Sequence, residues 1–218
     1  TLNLPPGNVQ EVARNHRYRK MRLVIGEGTK LAVGHNLDDQ AETVIGRIIR
    51  GSSLRGAGGI KPSREDGVIR PLIDVTREEI RKYLVSRGIA WVEDPSNKDE
   101  HYDRVYARNV LNSFTSRDPQ MKSHLATFAD DAREAQEALE TVALQVGPDL
   151  ESLRGAPKAV RRIALRRMME HATLCKAKRS HLEALDQASI QGRGEVLLPQ
   201  GWKGTVHNGE IRFSCGKS

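Results

Sequence analysis

Apolar positions along this chain recur first in short alternating blocks and later in long helical stretches. Residues 8–26 read as a helix carrying Arg14, Arg17, Arg19, Lys20 and Arg22. Lys30–Val33 is a short apolar strand ending at Gly34, and a helix follows at once. Its apolar face is Ala41, Val44, Ile45, Ile48 and Ile49, at spacings of three and four. Gly51 stops that helix, and a turn-rich loop runs to Gly59. Val68–Leu72 predicts a second strand. Thr76 and Glu79 form a capping box that opens a helix running to Arg87, with Gly88 beyond it. Ala90–Val92 predicts a third strand before a turn at Asp94–Asn97.

After about residue 103 the period changes. Leu125, Phe128, Ala132, Ala135, Leu139, Val142 and Val146 step by alternating threes and fours, the seam of a long helix that Gly147-Pro148 ends. Helices at Pro157–His171 and Ser180–Ser189 follow. The tail, through Glu195–Leu198, Thr205-Val206 and Ile211–Phe213, reads as short strands joined by Gly-rich turns. The expected architecture is an α/β domain with a parallel sheet over residues 1–115, then a mainly α-helical domain over 116–218 with short C-terminal strands. The boundary falls near Phe114–Pro119. Parallel sheets are built from strand–helix units, so an α/β domain that opens on a helix is expected to lack its first strand and helix.

Composition narrows the class. The 218 residues are 38% hydrophobic and 29% charged, which supports a soluble folded core. No apolar run is long enough to cross a membrane, and no stretch reads as a signal peptide. Two distant cysteines, Cys175 and Cys215, form neither a disulfide framework nor a CxxC site, which suits the cytoplasm. Thr1 is not an initiator, so residues are expected to precede it. The net charge is +7, and residues 151–180 alone carry nine Lys or Arg against two Glu. Arg161-Arg162 and Arg166-Arg167, with Lys158, recur at helical spacing and suit phosphate contacts; the plainer reading is a solvated helix face. Aromatics are 4% and do not interleave with this patch, so backbone contact with folded RNA is favoured over base stacking.

The chemistry concentrates in Gly34-His35-Asn36-Leu37-Asp38-Asp39-Gln40-Ala41-Glu42-Thr43. Ligands of open α/β sheets bind beyond the carboxyl ends of strands, and a helix N-terminus there offers free N–H groups. Asp38 and Asp39 have two readings: helix caps that complement the dipole, or carboxylates holding Mg²⁺ against a nucleotide's phosphates.

That run is followed by Arg50-Gly51-Ser52-Ser53-Leu54-Arg55-Gly56, by Ile69-Arg70-Pro71-Leu72 and by Trp91-Val92-Glu93-Asp94-Pro95-Ser96-Asn97. Together the four blocks resemble the tRNA(Ile)-lysidine synthetase family. The resemblance implies a PP-loop ATP pyrophosphatase domain of adenine-nucleotide α-hydrolase-like, Rossmann-like fold. It implies ATP-dependent adenylation of the wobble cytidine of a CAU-anticodon tRNA(Ile), then attack by L-lysine to give lysidine. ATP and Mg²⁺ are the implied cofactors, and a homodimer is left open. Carried over by position, Asp38, Arg104 and Arg108 are catalytic and Asp38 holds the metal. Arg17, Gly34, His35 and Asp39 bind ATP. Lys158, Arg161, Arg162, Arg166 and Arg167 are the expected tRNA contacts.

Two departures qualify the resemblance. The family's Ser-Gly-Gly-x-Asp-Ser loop, which cradles pyrophosphate, occurs nowhere in these 218 residues. It is expected upstream of Thr1, and the chain as it stands is expected to be inactive. Val105 stands where the family has Asn. A related tRNA-thiolating PP-loop enzyme is one alternative, disfavoured because Cys175 and Cys215 are far apart and neither lies in the catalytic blocks. A non-catalytic RNA-binding module is the other.

Overall fold

The computed structural model describes residues 12, 16, 18–21, 28–92 and 103–216, with 103–105 described by backbone alone. The fragments described before residue 22 are helical, as expected there. The turn at Asp94–Asn97 lies outside the described residues.

The chain divides into two compact units, residues 1–133 and 134–218. The division falls inside one long helix, later than the boundary expected at 115/116.

In the first unit, β1 (Leu31–Ala32) and β2 (Val68–Ile69) pair in parallel, Leu31 opposite Val68 and Ala32 opposite Ile69. Between them run α1 (Leu37–Ile49) and the short α2 (Leu54–Ala57). Asn36 caps α1: its side chain accepts from the Asp39 amide at 2.9 Å, while Asp39 accepts from the Asn36 amide at 3.1 Å. Leu37, Ala41, Val44 and Ile45 are buried, whereas Ile48 and Ile49 are about half exposed, so only the first three turns face the core. That core closes on α4 (Asp103–Thr115) through Ala107 and Leu111, and on the start of α5 (Met121–Ala143) through Met121 and Leu125.

Helix α3 (Arg77–Ser86) has the expected box, with Thr76 Oγ1 accepting from the Glu79 amide at 3.1 Å. Residues 90–92 are not a strand, a correction to the sequence reading. Trp91 and Val92 are exposed, so no sheet neighbour rewards the extended pairing that their β propensity favours.

The second unit packs α6 (Leu150–Gly155), α7 (Lys158–Thr173) and α8 (Arg179–Gln191) against an antiparallel sheet ordered β3-β4-β5. The strands are β3 (Gly194–Leu197), β4 (Trp202–His207) and β5 (Glu210–Cys215). Leu153, Leu165, Met169 and Leu185 are fully buried between the layers. Gly204 allows the close approach: a Cβ there would stand 2.7 Å from Leu185 Cδ2. Helix α6 was not foreseen. It is a six-residue turn capped by Asp149, too short for a periodic signal.

Candidate functional site

Parallel pairing brings the carboxyl ends of β1 and β2 together. Val33 N–H donates to the Ile69 carbonyl at 3.0 Å, so Gly34-His35 and Arg70 leave the sheet side by side. Arg70 is 4% exposed. Its Nε donates to His35 Nδ1 at 3.1 Å and its Nη1 to the Lys61 carbonyl at 2.5 Å. Among the described residues, nothing lies within 4 Å of where a Gly34 side chain would start.

The glycine-rich segment after α2 is held by cations on its carbonyls. Arg47 Nη1 donates to Gly56 and Gly59 at 2.8 and 2.7 Å, and Arg133 Nη2 donates to Gly58 at 3.1 Å. The Gln40 side chain accepts from the Ile60 amide at 2.6 Å. Gly59 adopts φ +59°, and a Cβ there would sit 2.6 Å from Gln40 Oε1, so only glycine serves.

At the α1 entrance, three carboxylates meet three cations. Asp38, 6% exposed, accepts from the Arg77 amide at 2.7 Å through Oδ2 and from Lys122 Nζ at 2.6 Å through Oδ1. Its desolvation raises its pKa, but the Arg77 amide and the Lys122 ammonium outweigh burial and hold the carboxyl below its ordinary value. Asp39 lies 3.4 Å from Arg77 Nη2. The Glu42 side chain is 1% exposed and accepts from Arg108 Nε at 2.7 Å, with Arg77 Nη2 at 3.5 Å. That hydrogen bond, with the charges of Glu42, Asp39 and Asp38, raises the Arg108 pKa further. Pairing of these carboxylates with cations offsets the cost of burying them.

The cap reading of the acidic pair is met by Asp39. Asp39 is half of the α1 capping box. Asp38 reaches across to the first helical N–H of α3 and to the first turn of α5. Each Asp38 oxygen accepts one of these bonds, from an ammonium and from an amide, and keeps a second lone pair. Among the described residues no group of three or more His, Cys, Asp or Glu is placed to hold a metal.

Of the other expected residues, Arg17 lies outside the described residues, and Arg104 lies on α4 with its side chain outside them. Gly34, His35, Asp39 and Arg108 all belong to the first unit, with His35 at the strand end and Asp39 in the first turn of α1. Roles for Arg70, Arg77 and Lys122 had no sequence signal, because their partners lie 35 to 84 residues away.

The basic helix α7 needs a correction. Arg161 is 7% exposed; its Nε donates to Asp186 at 2.6 Å and its Nη1 to the Ala156 carbonyl at 3.0 Å. It is an internal strut and cannot reach a phosphate. Arg162 shares Asp186 at 3.0 Å, and Arg167 donates to the Leu144 and Val146 carbonyls, capping the end of α5. Lys158 is exposed, as are Lys176, Lys178 and Arg179 farther along the basic stretch.

Comparison with known proteins follows the same lines. The PP-loop domain family profile matches residues 4–114. The tRNA(Ile)-lysidine synthase of Thermus thermophilus is 39% identical over 207 residues, covering 87% of this chain and 39% of that protein. That of Solibacter usitatus is 34% identical over 219 residues, covering 91% and 50%. That of Pseudomonas aeruginosa is 38% identical over 141 residues, covering 63% and 32%. The chain thus spans from about a third to half of these curated relatives' length. The solved U34-tRNA thiolase NcsA from Methanococcus maripaludis, with its 4Fe-4S cluster, superposes at a TM-score of 0.50. The superposition covers 61% of this chain and 47% of that one, at 22% identity, a likeness of fold. The parallel pair, its helices and these matches bear out the expected adenine-nucleotide α-hydrolase-like fold, and the chain belongs to the PP-loop domain family.

Proposed function

We propose that this chain is part of a tRNA(Ile)-lysidine synthase. In this reading the carbonyl oxygen on carbon 2 of the wobble cytidine of a CAU-anticodon tRNA(Ile) attacks the α-phosphate of ATP, and pyrophosphate leaves. The amine of free L-lysine then displaces AMP to leave lysidine. The observation that carries the reading is the 39% identity to the Thermus thermophilus enzyme over 87% of this chain. The matched span, 87% of this chain, extends past the PP-loop domain into the second unit.

The residues divide the work by position. Gly34 keeps the strand end open to the nucleotide, and His35 and Asp39 stand beside it. Arg17 supplies a further positive group at the ATP. Arg104 and Arg108 neutralise phosphate and the charge that develops as AMP leaves, a task suited to planar guanidinium donors. Glu42 sets the direction of the Arg108 fork through its bond at 2.7 Å. Asp38, at the start of α1, would hold Mg²⁺, which would supply charge neutralisation at the phosphates. Lys158 and other exposed cations of residues 151–180 contact the tRNA backbone, and the site of action is the cytoplasm.

The test is mass spectrometry of nucleosides from CAU-anticodon tRNA(Ile) after incubation of the full-length protein with ATP and lysine. Lysidine is expected, dependent on both small molecules. Recovery of unmodified cytidine, or of a thiolated base, would overturn the reading.

A further inference from the structure

Arg70 follows β2 directly and is pinned at three points. Its amide donates to the Pro62 carbonyl at 2.9 Å, its Nη1 to the Lys61 carbonyl at 2.5 Å, and its Nε to His35 Nδ1 at 3.1 Å. At 4% exposure the guanidinium has little water to turn toward. A guanidinium carries only donors and keeps its protons throughout the physiological range. The atom facing Arg70 Nε must therefore be an acceptor, so His35 Nδ1 carries no proton. A neutral imidazole has a single N–H, which places it on Nε2. An imidazolium would set a second N–H against that of Arg70, an arrangement without an acceptor.

We infer that Arg70 is a positioning residue that fixes His35 as the neutral Nε2–H tautomer. In that tautomer the ring nitrogen away from Arg70, Nε2, is a donor and not an acceptor. While that bond holds, the imidazole lone pair faces Arg70 and is turned from the role of general base. The tautomer rests on geometry alone; its use toward ATP rests on the function proposed above. Histidine at a nucleotide-facing strand end would ordinarily be the first choice for a proton acceptor. Here the proton lost by the attacking amine must go elsewhere.

The experiment is multiple-bond ¹H–¹⁵N correlation NMR on full-length protein labelled at histidine, at pH 7.5, with His35 assigned from the missing signals of His35→Gln. The expected spectrum has an unprotonated Nδ1 and a protonated Nε2 for His35. An Nδ1–H tautomer, or an imidazolium pattern, would overturn the inference. Arg70→Met is expected to give tautomer averaging and Arg70→Lys to keep Nε2–H. If Arg70→Met fails to fold, the wild-type spectrum still decides. Activity tests the use: the Gln amide N–H replaces the Nε2–H donor, whereas Phe cannot. His35→Gln should exceed His35→Phe in kcat/KM by about tenfold or more, and equal losses would overturn the donor role. Absence of lysidine formation by the wild-type protein would refute the proposed function and leave the tautomer standing.

Discussion

Asp38 joins three helices through two short bonds, to the Arg77 amide and to Lys122 Nζ. Hydrogen bonds to a charged group contribute about 1.5–3 kcal/mol. Asp38→Asn is therefore predicted to destabilise the protein by about that amount at pH 7, measured by urea unfolding. A double-mutant cycle with Lys122→Met should return a coupling above about 0.5 kcal/mol, since the groups touch. The pH dependence has a definite sign. The native pKa is lowered, so the contribution is complete well above the unfolded value of about 3.9 and disappears as pH falls through the native one. Wild-type stability should drop more steeply than that of Asp38→Asn on acidification below about pH 4. Parallel curves would mean that the carboxylate is not held by these partners. The sequence located Asp38 and Asp39 at a helix entrance but not their division of labour. The Asn36 box is local and readable, whereas Lys122 lies 84 residues away and leaves no pattern near Asp38.

Most elements were legible where periodicity and caps agree. Helix α1, the Thr76 box and all three C-terminal strands lie within a few residues of where their patterns put them. The long helix shows how a correct period can still give the wrong face. Phe128 and Val142, taken as seam positions, are 46% and 51% exposed, while Ala129, Gln136 and Ala143 are buried. The step of three and four is the same, shifted by one residue at alternate positions. Small side chains line it, so bulk and hydrophobicity did not mark it. Helix α7 failed differently: charge spacing suggested a phosphate-binding face, yet Arg161 turns inward to Asp186, itself 4% exposed. Arg161→Ala is predicted to cost about 1.5–3 kcal/mol, because it removes one of the two guanidinium groups on a buried carboxylate and leaves Arg162 as the other. Arg161→Met combined with Asp186→Leu should recover much of that in thermal or urea unfolding. A surface role would predict a loss near zero for the single change.

Across the whole chain the net charge is +7, and much of the excess falls in residues 151–180. With Arg161 internal, the exposed cations there carry the electrostatic prediction. Lys158, Lys176 and Lys178, changed together to Ala, should lower the log–log salt slope of tRNA binding by about 2–3 if each touches a phosphate. An unchanged slope in filter binding would make this a solvated face. The chemistry itself is tested most directly in two stages with full-length protein, labelled ATP and CAU-anticodon tRNA(Ile). Without lysine, the label of the α-phosphate should become attached to the tRNA; adding lysine should release it as AMP, one for each lysidine formed. Label that never reaches the tRNA, or that leaves it without lysine entering the base, would contradict the account.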